Sequence, residues 1–321
     1  MLMNALLKTF VTLAIVFIFM ICAGLGYIIY TVNHYYLPSP SRVVIEKGQG
    51  LKEISAILES SRVIPDKYSF TAVLYYNSNY LRHFIIPGEY EFSQGSTPAD
   101  ALHKLFKGDR VVRKAIIPEG YTSFQITKYI AGLEGLNGEI TTHYPEGYLM
   151  PATYFYYWGD SRQSILDKMH KEMTSYLSSN QIANPAETLT LASIVEKEAR
   201  VAEERPIVAS VYLNRMKLRM PLQADPTVIY AIYAGKTDFR HSLTKQDLSY
   251  DSPYNTYTNR GLPPGPIANP GKAAIQAVLS PASTTYLYFV ADGTGRHRFA
   301  TSLVEHNKNV QIYLASLKNQ S

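Results

Sequence analysis

From Thr9 to Asn33 the chain carries no charged residue, and Phe10 to Tyr30 is built mostly of Val, Ile, Leu, Phe and Met. Lipid offers backbone N–H and C=O groups no partners, so such a run crosses a bilayer as a helix, for which about 20 apolar residues suffice. A cleaved signal peptide has a shorter apolar centre followed by a small-residue cleavage site. Ala23-Gly24-Leu25-Gly26 is a poor version of one, and Tyr27-Ile28-Ile29-Tyr30 carries the apolar run past it. We therefore expect a cytoplasmic tail over 1–8 and a retained transmembrane signal-anchor over 9–33. Tyr27, Tyr30, Tyr35 and Tyr36 suit the far interface. Lys8 and the terminal amine lie closer to the span than Arg42 and Lys47, which favours a cytoplasmic N-terminus and an exported remainder. Cys22, the only cysteine, lies inside the span. The exported part then has no disulfide and must build its own core.

The 321 residues carry a net charge of +5 without a concentrated basic run, so nucleic acid is not an expected partner. A Pro/Ser linker covers 34–42. Three similar phrases follow. Val43-Val-Ile-Glu-Lys-Gly48, Tyr90-Glu-Phe-Ser-Gln-Gly95 and Ala115-Ile-Ile-Pro-Glu-Gly120 each look like a strand and a glycine turn. An amphipathic helix follows each, with Leu51, Ile54, Ile57 and Leu58, then Ala101, Leu102 and Leu105, then Phe124, Ile126, Tyr129 and Ile130 as inner faces. The uneven spacing argues against a solenoid. The first two phrases resemble the LysM-like wall-binding module of exported peptidoglycan enzymes. From Glu146 onward the chain becomes rich in aromatic and turn-forming residues. The fold class expected is α+β: an N-terminal transmembrane helix, a small LysM-like α+β subdomain over 43–110, and a larger α+β catalytic domain over 111–321.

Within the larger domain, Thr188 to Arg200 is expected to be helical, opened by Asn184 as cap and Pro185 at the first position, with Glu187 as a capping-box acid. Leu191, Ile194 and Val195 form one apolar stripe, and Glu198 falls in its middle. Glu196 points away, in position for an exposed i,i+4 pair with Arg200. A carboxyl on a core-facing stripe loses hydration and its pKa rises, as a general acid requires. Alternatively, Glu198 ends the buried part of the helix and reaches solvent or a backbone group.

Downstream, Gln223-Ala-Asp225-Pro226 precedes a further helix, with Asp225 placed to cap it and Gln223 unexplained. Ser252-Pro253-Tyr254-Asn255-Thr256-Tyr257 sets an amide and hydroxyls between aromatic rings, as saccharide sites do. Gly261-Leu-Pro-Pro-Gly-Pro-Ile267 is stiff and turn-rich, more scaffold than chemistry. Thr285-Tyr-Leu-Tyr-Phe-Val290 reads as a buried strand, with Asp292-Gly-Thr-Gly295 as a hairpin turn into His297-Arg-Phe299. No Walker A, GxGxxG, HExxH or GxSxG motif occurs, and the eight histidines lack zinc-site spacing. Neither cofactor nor metal is expected. What survives is acid–base work by a carboxylate on a polar substrate, of which glycoside cleavage is the main class.

Glu146-Gly-Tyr-Leu-Met-Pro151-Ala-Thr-Tyr154, Leu191-Ala-Ser-Ile-Val-Glu-Lys-Glu198, Gln223-Ala-Asp-Pro-Thr-Val-Ile-Tyr230 and Tyr254-Asn-Thr-Tyr257 occur in that order. Gly261–Ile267, Tyr286-Leu-Tyr-Phe-Val-Ala-Asp-Gly293, His297-Arg-Phe299 and His306-Asn307 follow them. Together these motifs resemble the endolytic murein transglycosylase family (MltG, YceG-like), from the membrane anchor to the C-terminus. The resemblance implies a single-pass protein of the bacterial inner membrane with its catalytic domain in the periplasm. It also implies cleavage within nascent peptidoglycan glycan strands, leaving 1,6-anhydro-N-acetylmuramic ends that limit strand elongation, and peptidoglycan synthases as partners. The family's catalytic glutamate maps onto Glu198, and its binding positions onto Gln223, Tyr254, Asn255 and Thr256. In the mechanism this implies, Glu198 acts first as acid and then as base, Asn255 and Gln223 orient acetamido groups, and Tyr254 stacks on sugar. Two alternatives stay open: a glycoside hydrolase with Glu196 or Asp225 as second acid, and a wall-binding scaffold of the synthases without catalysis.

Overall fold

The computed structural model describes residues 2–236 and 242–318; the first residue and the last three, which fall within the expected tail and second domain, lie outside the described residues. The chain is a mixed α+β protein that divides into two compact units. The first comprises Met1–Arg113 with Glu134–Leu136 and Tyr156–Asp160, and the second the remainder.

The first unit begins with α1 (Leu2–His34), which is longer than the uncharged run. Ala5–His34 is long and apolar enough to cross a membrane, and most of its hydrophobic side chains are exposed, with only its last turns meeting α3 and α4. After it come β1 (Ser41–Ile45), α2 (Leu51–Ser60), α3 (Lys67–Tyr80), β2 (Gly88–Phe92) and α4 (Pro98–Lys107). β1 and β2 pair antiparallel, Val43 opposite Tyr90. Val43, Ile45, Leu58, Phe70, Leu74, Phe92 and Leu105 close one core beneath them. Glu89 is buried on β2 but meets the Arg113 guanidinium at 2.7 Å, with Arg42 beside it at 3.6 Å.

The three phrases fold as their spacing predicts. Each strand runs into a glycine at positive φ, Gly48 (95°), Gly95 (82°) and Gly120 (76°), where a side chain would be strained. Thr97 and Thr122 then cap their helices with capping boxes, because the first turn leaves N–H groups that only a side chain can satisfy.

The second unit holds β3 (Arg113–Ile116, entered from the first unit), α5 (Ser123–Ala131), β4 (Thr153–Tyr156), α6 (Arg162–Ser179), α7 (Pro185–Glu198), α8 (Arg205–Lys217), α9 (Asp225–Tyr233) and α10 (Lys245–Leu248). It ends with α11 (Lys272–Leu279), β5 (Tyr288–Ala291), β6 (His297–Ala300) and α12 (Leu303–Lys318). α7 starts at Pro185 after Asn184, as expected, but the Asn184 side chain makes no capping bond. Every residue from Leu189 to Val195 is buried, not one stripe alone. The reason is that α7 is the central rod: α8, α9 and α11 all pack on it, and two apolar clusters share it. Even its polar Ser193 is used, accepting the Ile267 N–H at 3.0 Å and so tying the proline-rich segment to the rod as scaffold. β5 and β6 form the expected hairpin, Ala291 opposite His297. The strand is only half-buried, not buried as anticipated, because its sheet has two strands with α12 against them.

Candidate active site

α7 delivers Glu198 as its last residue, where the helix dipole is least favourable to an anion. The carboxyl lines a cleft of about 270 Å³, with Tyr212 and Arg215 of α8, Leu222 and Gln223 of the following turn, Asp225, Tyr257, Phe289 of β5 and His306 of α12. Among the described residues its one hydrogen bond comes from the buried Tyr212 hydroxyl, 3.1 Å from Oε1. Among the described residues no basic group pairs with it. Burial pushes its pKa up to about 7; the nearby Asp225 charge adds to the rise, and the Tyr212 hydroxyl opposes it. Near neutral pH both the protonated and the ionised forms of this carboxyl are then accessible, which lets one group serve as acid and then as base.

The rest of the site is held from behind. Phe289 meets the Tyr212 ring edge-on at 5.8 Å, and the His297 ring meets Phe289 edge-on at 5.2 Å. The buried Glu204 carboxylate fixes His297 through both Nδ1 (2.7 Å) and the main-chain N–H (3.1 Å). Arg215 is buried on α8 and clamps three carbonyls, those of Leu287 (2.6 Å), Pro221 (3.3 Å) and Leu222 (2.8 Å). That clamp fixes the turn carrying Gln223 and Asp225.

Of the acids and binding residues singled out in the sequence, Glu198, Gln223 and Asp225 line the cleft. Gln223 has φ of 49°, a left-handed conformation rare for a residue with a side chain and concentrated at functional sites. Asp225 is not a cap. Ala224 holds the cap position, and the Asp225 carboxylate instead accepts the Tyr257 hydroxyl at 2.5 Å in the cleft wall. Tyr254, Asn255 and Thr256 are not brought to the lining. Asn255 is fully buried, donating to the carbonyls of Leu248 (3.1 Å) and Tyr250 (2.8 Å) and accepting from the Tyr257 N–H (2.9 Å). Thr256 accepts the Ala224 N–H at 3.0 Å. A buried polar group must find partners, and here the loop's own backbone supplies them. Tyr254 packs on Tyr230, ring centroids 5.0 Å apart.

Glu196 also differs from the expectation of an exposed pair with Arg200. Its side chain is 5% exposed and bonds the Arg205 guanidinium at 2.8 Å and the Gly271 N–H at 2.9 Å. The central position of α7 leaves its last turn no solvent face on this side. The sequence reading passed over Tyr212 and Arg215 and gave Tyr257, Phe289 and His306 no role of their own.

Comparison with known proteins matches this chain to one group. A family model described as the YceG-like family covers residues 43–312. An endolytic murein transglycosylase of Bacillus subtilis (strain 168) is 45% identical over 56% of this chain and 50% of its own length. One from Streptococcus pneumoniae serotype 2 is 31% identical over 97% of this chain and 66% of its own. The chain thus spans half to just under two thirds of these curated relatives. A crystal structure of a YceG-like protein from Listeria monocytogenes shares 33% identity, covering 84% of this chain and 98% of that one with a TM-score of 0.54. On the span of the family model and the agreement of these relatives, the chain belongs to the YceG-like family.

Proposed function

We propose that this protein is an endolytic peptidoglycan lytic transglycosylase, a lyase that cuts the β-1,4 bond between N-acetylmuramic acid and N-acetylglucosamine. The observation that carries this is Glu198: a carboxyl with no basic partner among the described residues, raised toward neutrality in a polar cleft, in a chain whose curated relatives are named endolytic murein transglycosylases. Glu198 gives its proton to the glycosidic oxygen as the bond to the anomeric carbon breaks. The substrate's 2-acetamido oxygen meets the positive charge at that carbon, so no nucleophilic carboxylate is needed. The Glu198 carboxylate then takes the proton of the C6 hydroxyl, whose oxygen closes on the anomeric carbon and releases the acetamido oxygen. One carboxyl acts twice and no water is consumed.

The other cleft residues take supporting roles. The Tyr212 hydroxyl aims Glu198, and the Asp225 charge, held by Tyr257, keeps Glu198 protonated and steadies the cationic transition state. Gln223 orients an acetamido group. Asn255 and Thr256 act through the turn they hold rather than by touching sugar. α1 anchors the protein once in the bacterial inner membrane with the catalytic unit in the periplasm, and peptidoglycan synthases are its partners there. The β1-α2-α3-β2 arrangement supports a LysM-like reading of the first unit.

Digestion of uncrosslinked glycan by the full-length protein in detergent tests this. New ends about 18 mass units lighter than hydrolytic ones are expected. Because Asp225 lines the same cleft, a carboxylate-pair hydrolase is the competing reading; incorporation of labelled water into the new ends establishes it instead. Absence of any cleavage leaves the scaffold function.

A further inference from the structure

The mechanism above makes the substrate's 2-acetamido oxygen a reacting atom, and as that oxygen bonds to the anomeric carbon, positive charge spreads onto the acetamido nitrogen. Gln223 orients an acetamido group, but a neutral amide does not answer that charge. Asn255, which the sequence offers for the task, is buried with its amide bonds spent on its own loop. Asp225 is not spent. It is the first residue of α9, it lines the cleft with Glu198, and it is exposed. Oδ1 accepts the Tyr257 hydroxyl at 2.5 Å, whereas Oδ2 has no hydrogen bond among the described residues. The two carboxyls of the cleft also sit at opposite kinds of helix end. Glu198 closes α7, where the dipole disfavours an anion, and Asp225 opens α9, where the dipole favours one.

We propose that Asp225 is a second catalytic residue, its free Oδ2 accepting the N–H of the acetamido group on the sugar whose bond is cut. This rests on the transglycosylase reading of the same cleft and deepens it. Before reaction the bond keeps the acetamido group from turning, so that its oxygen faces the anomeric carbon. As that oxygen closes the ring, the amide C–N bond gains double-bond character and the N–H becomes cationic, so a hydrogen bond to a carboxylate strengthens. The proton stays on nitrogen throughout. When the C6 oxygen displaces the acetamido oxygen, the neutral amide and its weaker bond return. Tyr257, bonded to Oδ1, holds the carboxylate in one orientation while this happens.

Two disaccharides separate the charged state from the ground state, and neither contains the bond that is cut. One is N-acetylglucosaminyl-N-acetylmuramic acid. The other is its fused thiazoline, in which sulfur replaces the muramic acetamido oxygen and is already bonded to the anomeric carbon, so its nitrogen takes up a proton opposite a carboxylate. Each is titrated calorimetrically into the full-length protein in detergent. Wild type should bind the thiazoline about tenfold or more tightly than the open disaccharide. Asp225→Asn keeps the shape and an acceptor oxygen but not the charge. It should weaken the thiazoline about thirtyfold and the open disaccharide no more than about threefold. Tyr257→Phe, which leaves the carboxylate in place, should cost the thiazoline clearly less. Equal affinity of wild type and Asp225→Asn for the thiazoline overturns the assignment. A loss in Tyr257→Phe as large as that in Asp225→Asn overturns it too, because the carboxylate would then act only by holding the tyrosine. Wild-type protein that shows no preference for the thiazoline and puts labelled water into new glycan ends sinks the transglycosylase reading and the assignment with it. That outcome is told apart from the others by lying in the wild type itself.

Discussion

Glu196 and Glu198 leave the same last turn of α7 two residues apart, and their surroundings divide their roles. On one side Glu196 meets Arg205, the Gly271 N–H and, through Arg205, Glu119; burial raises its pKa, but an amide and a guanidinium bond the charged form. On the other side Glu198 meets a tyrosine hydroxyl and the negative charge of Asp225, with no cation among the described residues. Glu89, in the other unit, repeats the Glu196 solution with arginines. Burial alone does not mark an acid–base catalyst. What marks Glu198 is burial in a cleft without the compensation that structural carboxylates receive.

The comparison breaks first on activity. Glu198→Gln should lower cleavage of uncrosslinked glycan by about 10³-fold, the size of a general acid–base contribution, read by counting new ends. It should also affect stability with a definite sign. The folded pKa of Glu198 is about 7 against a usual 4.5, so the protonated form favours folding, and that advantage is lost as pH rises from 4.5 through 7. Wild type and Glu198→Gln should melt together at pH 4, and the variant should be more stable by about 3 kcal/mol at pH 8. Glu196→Gln should divide the effects differently, costing stability and sparing turnover. It leaves Arg205 with Glu119 alone while keeping an acceptor for Gly271, so it should cost about 2 kcal/mol in a melt yet retain most activity per folded molecule. Loss of turnover without loss of stability in Glu196→Gln would move the catalytic role to that residue.

How far the sequence carried this division is itself a matter of local against long-range information. The start of α7, the three glycine turns, the Asp292–Gly295 hairpin and the place of Glu198 are set by neighbours in the chain, and spacing showed them. Arg215 could have been found by the same signal as Glu198: it follows Val208, Val211 and Tyr212 at i, i+3, i+4 and i+7, a charge on an apolar stripe. Glu196 was misplaced because the packing of α8 and α11 around α7 is not written in its periodicity. His306 was not legible, since the ring that covers it comes from β5. Asn255 misled in a further way: an amide between aromatic rings suits a ligand, and equally suits a loop whose carbonyls need a buried donor. Asn255→Ala should therefore cost about 2 kcal/mol of stability, with the activity of the remaining folded protein little changed.

A smaller effect tests the electrostatics. Asp225 raises the Glu198 pKa as a negative neighbour, whereas Tyr212 lowers it. The acid limb of catalysis needs Glu198 protonated, so activity should fall as pH rises through about 7. Asp225→Asn removes the like charge, eases ionisation of Glu198 and should move this limb to lower pH. Tyr212→Phe should move it to higher pH. The Asp225 side is open to solvent, which screens the interaction, so the shift should stay below about one pH unit and shrink with salt. A limb that both variants leave in place would mean that the titrating group is not Glu198.

The smallest effect distinguishes a strained functional turn from an ordinary one. Gln223 holds φ of 49° between the Arg215 clamp on Leu222 and the Ala224 N–H bound by Thr256. Glycine adopts that conformation without steric cost, so Gln223→Gly loses a strained side chain but gains unfolded-state freedom. The two nearly cancel, and the melting temperature should change by the equivalent of less than about 1 kcal/mol. If the left-handed turn exists to aim the Gln223 amide into the cleft, KM for glycan should nevertheless rise several-fold with kcat held. If the turn serves only to bring Asp225 to Tyr257, Gln223→Gly should leave both constants alone, and the cleft's binding face would then lie wholly on α8, α9, β5 and α12.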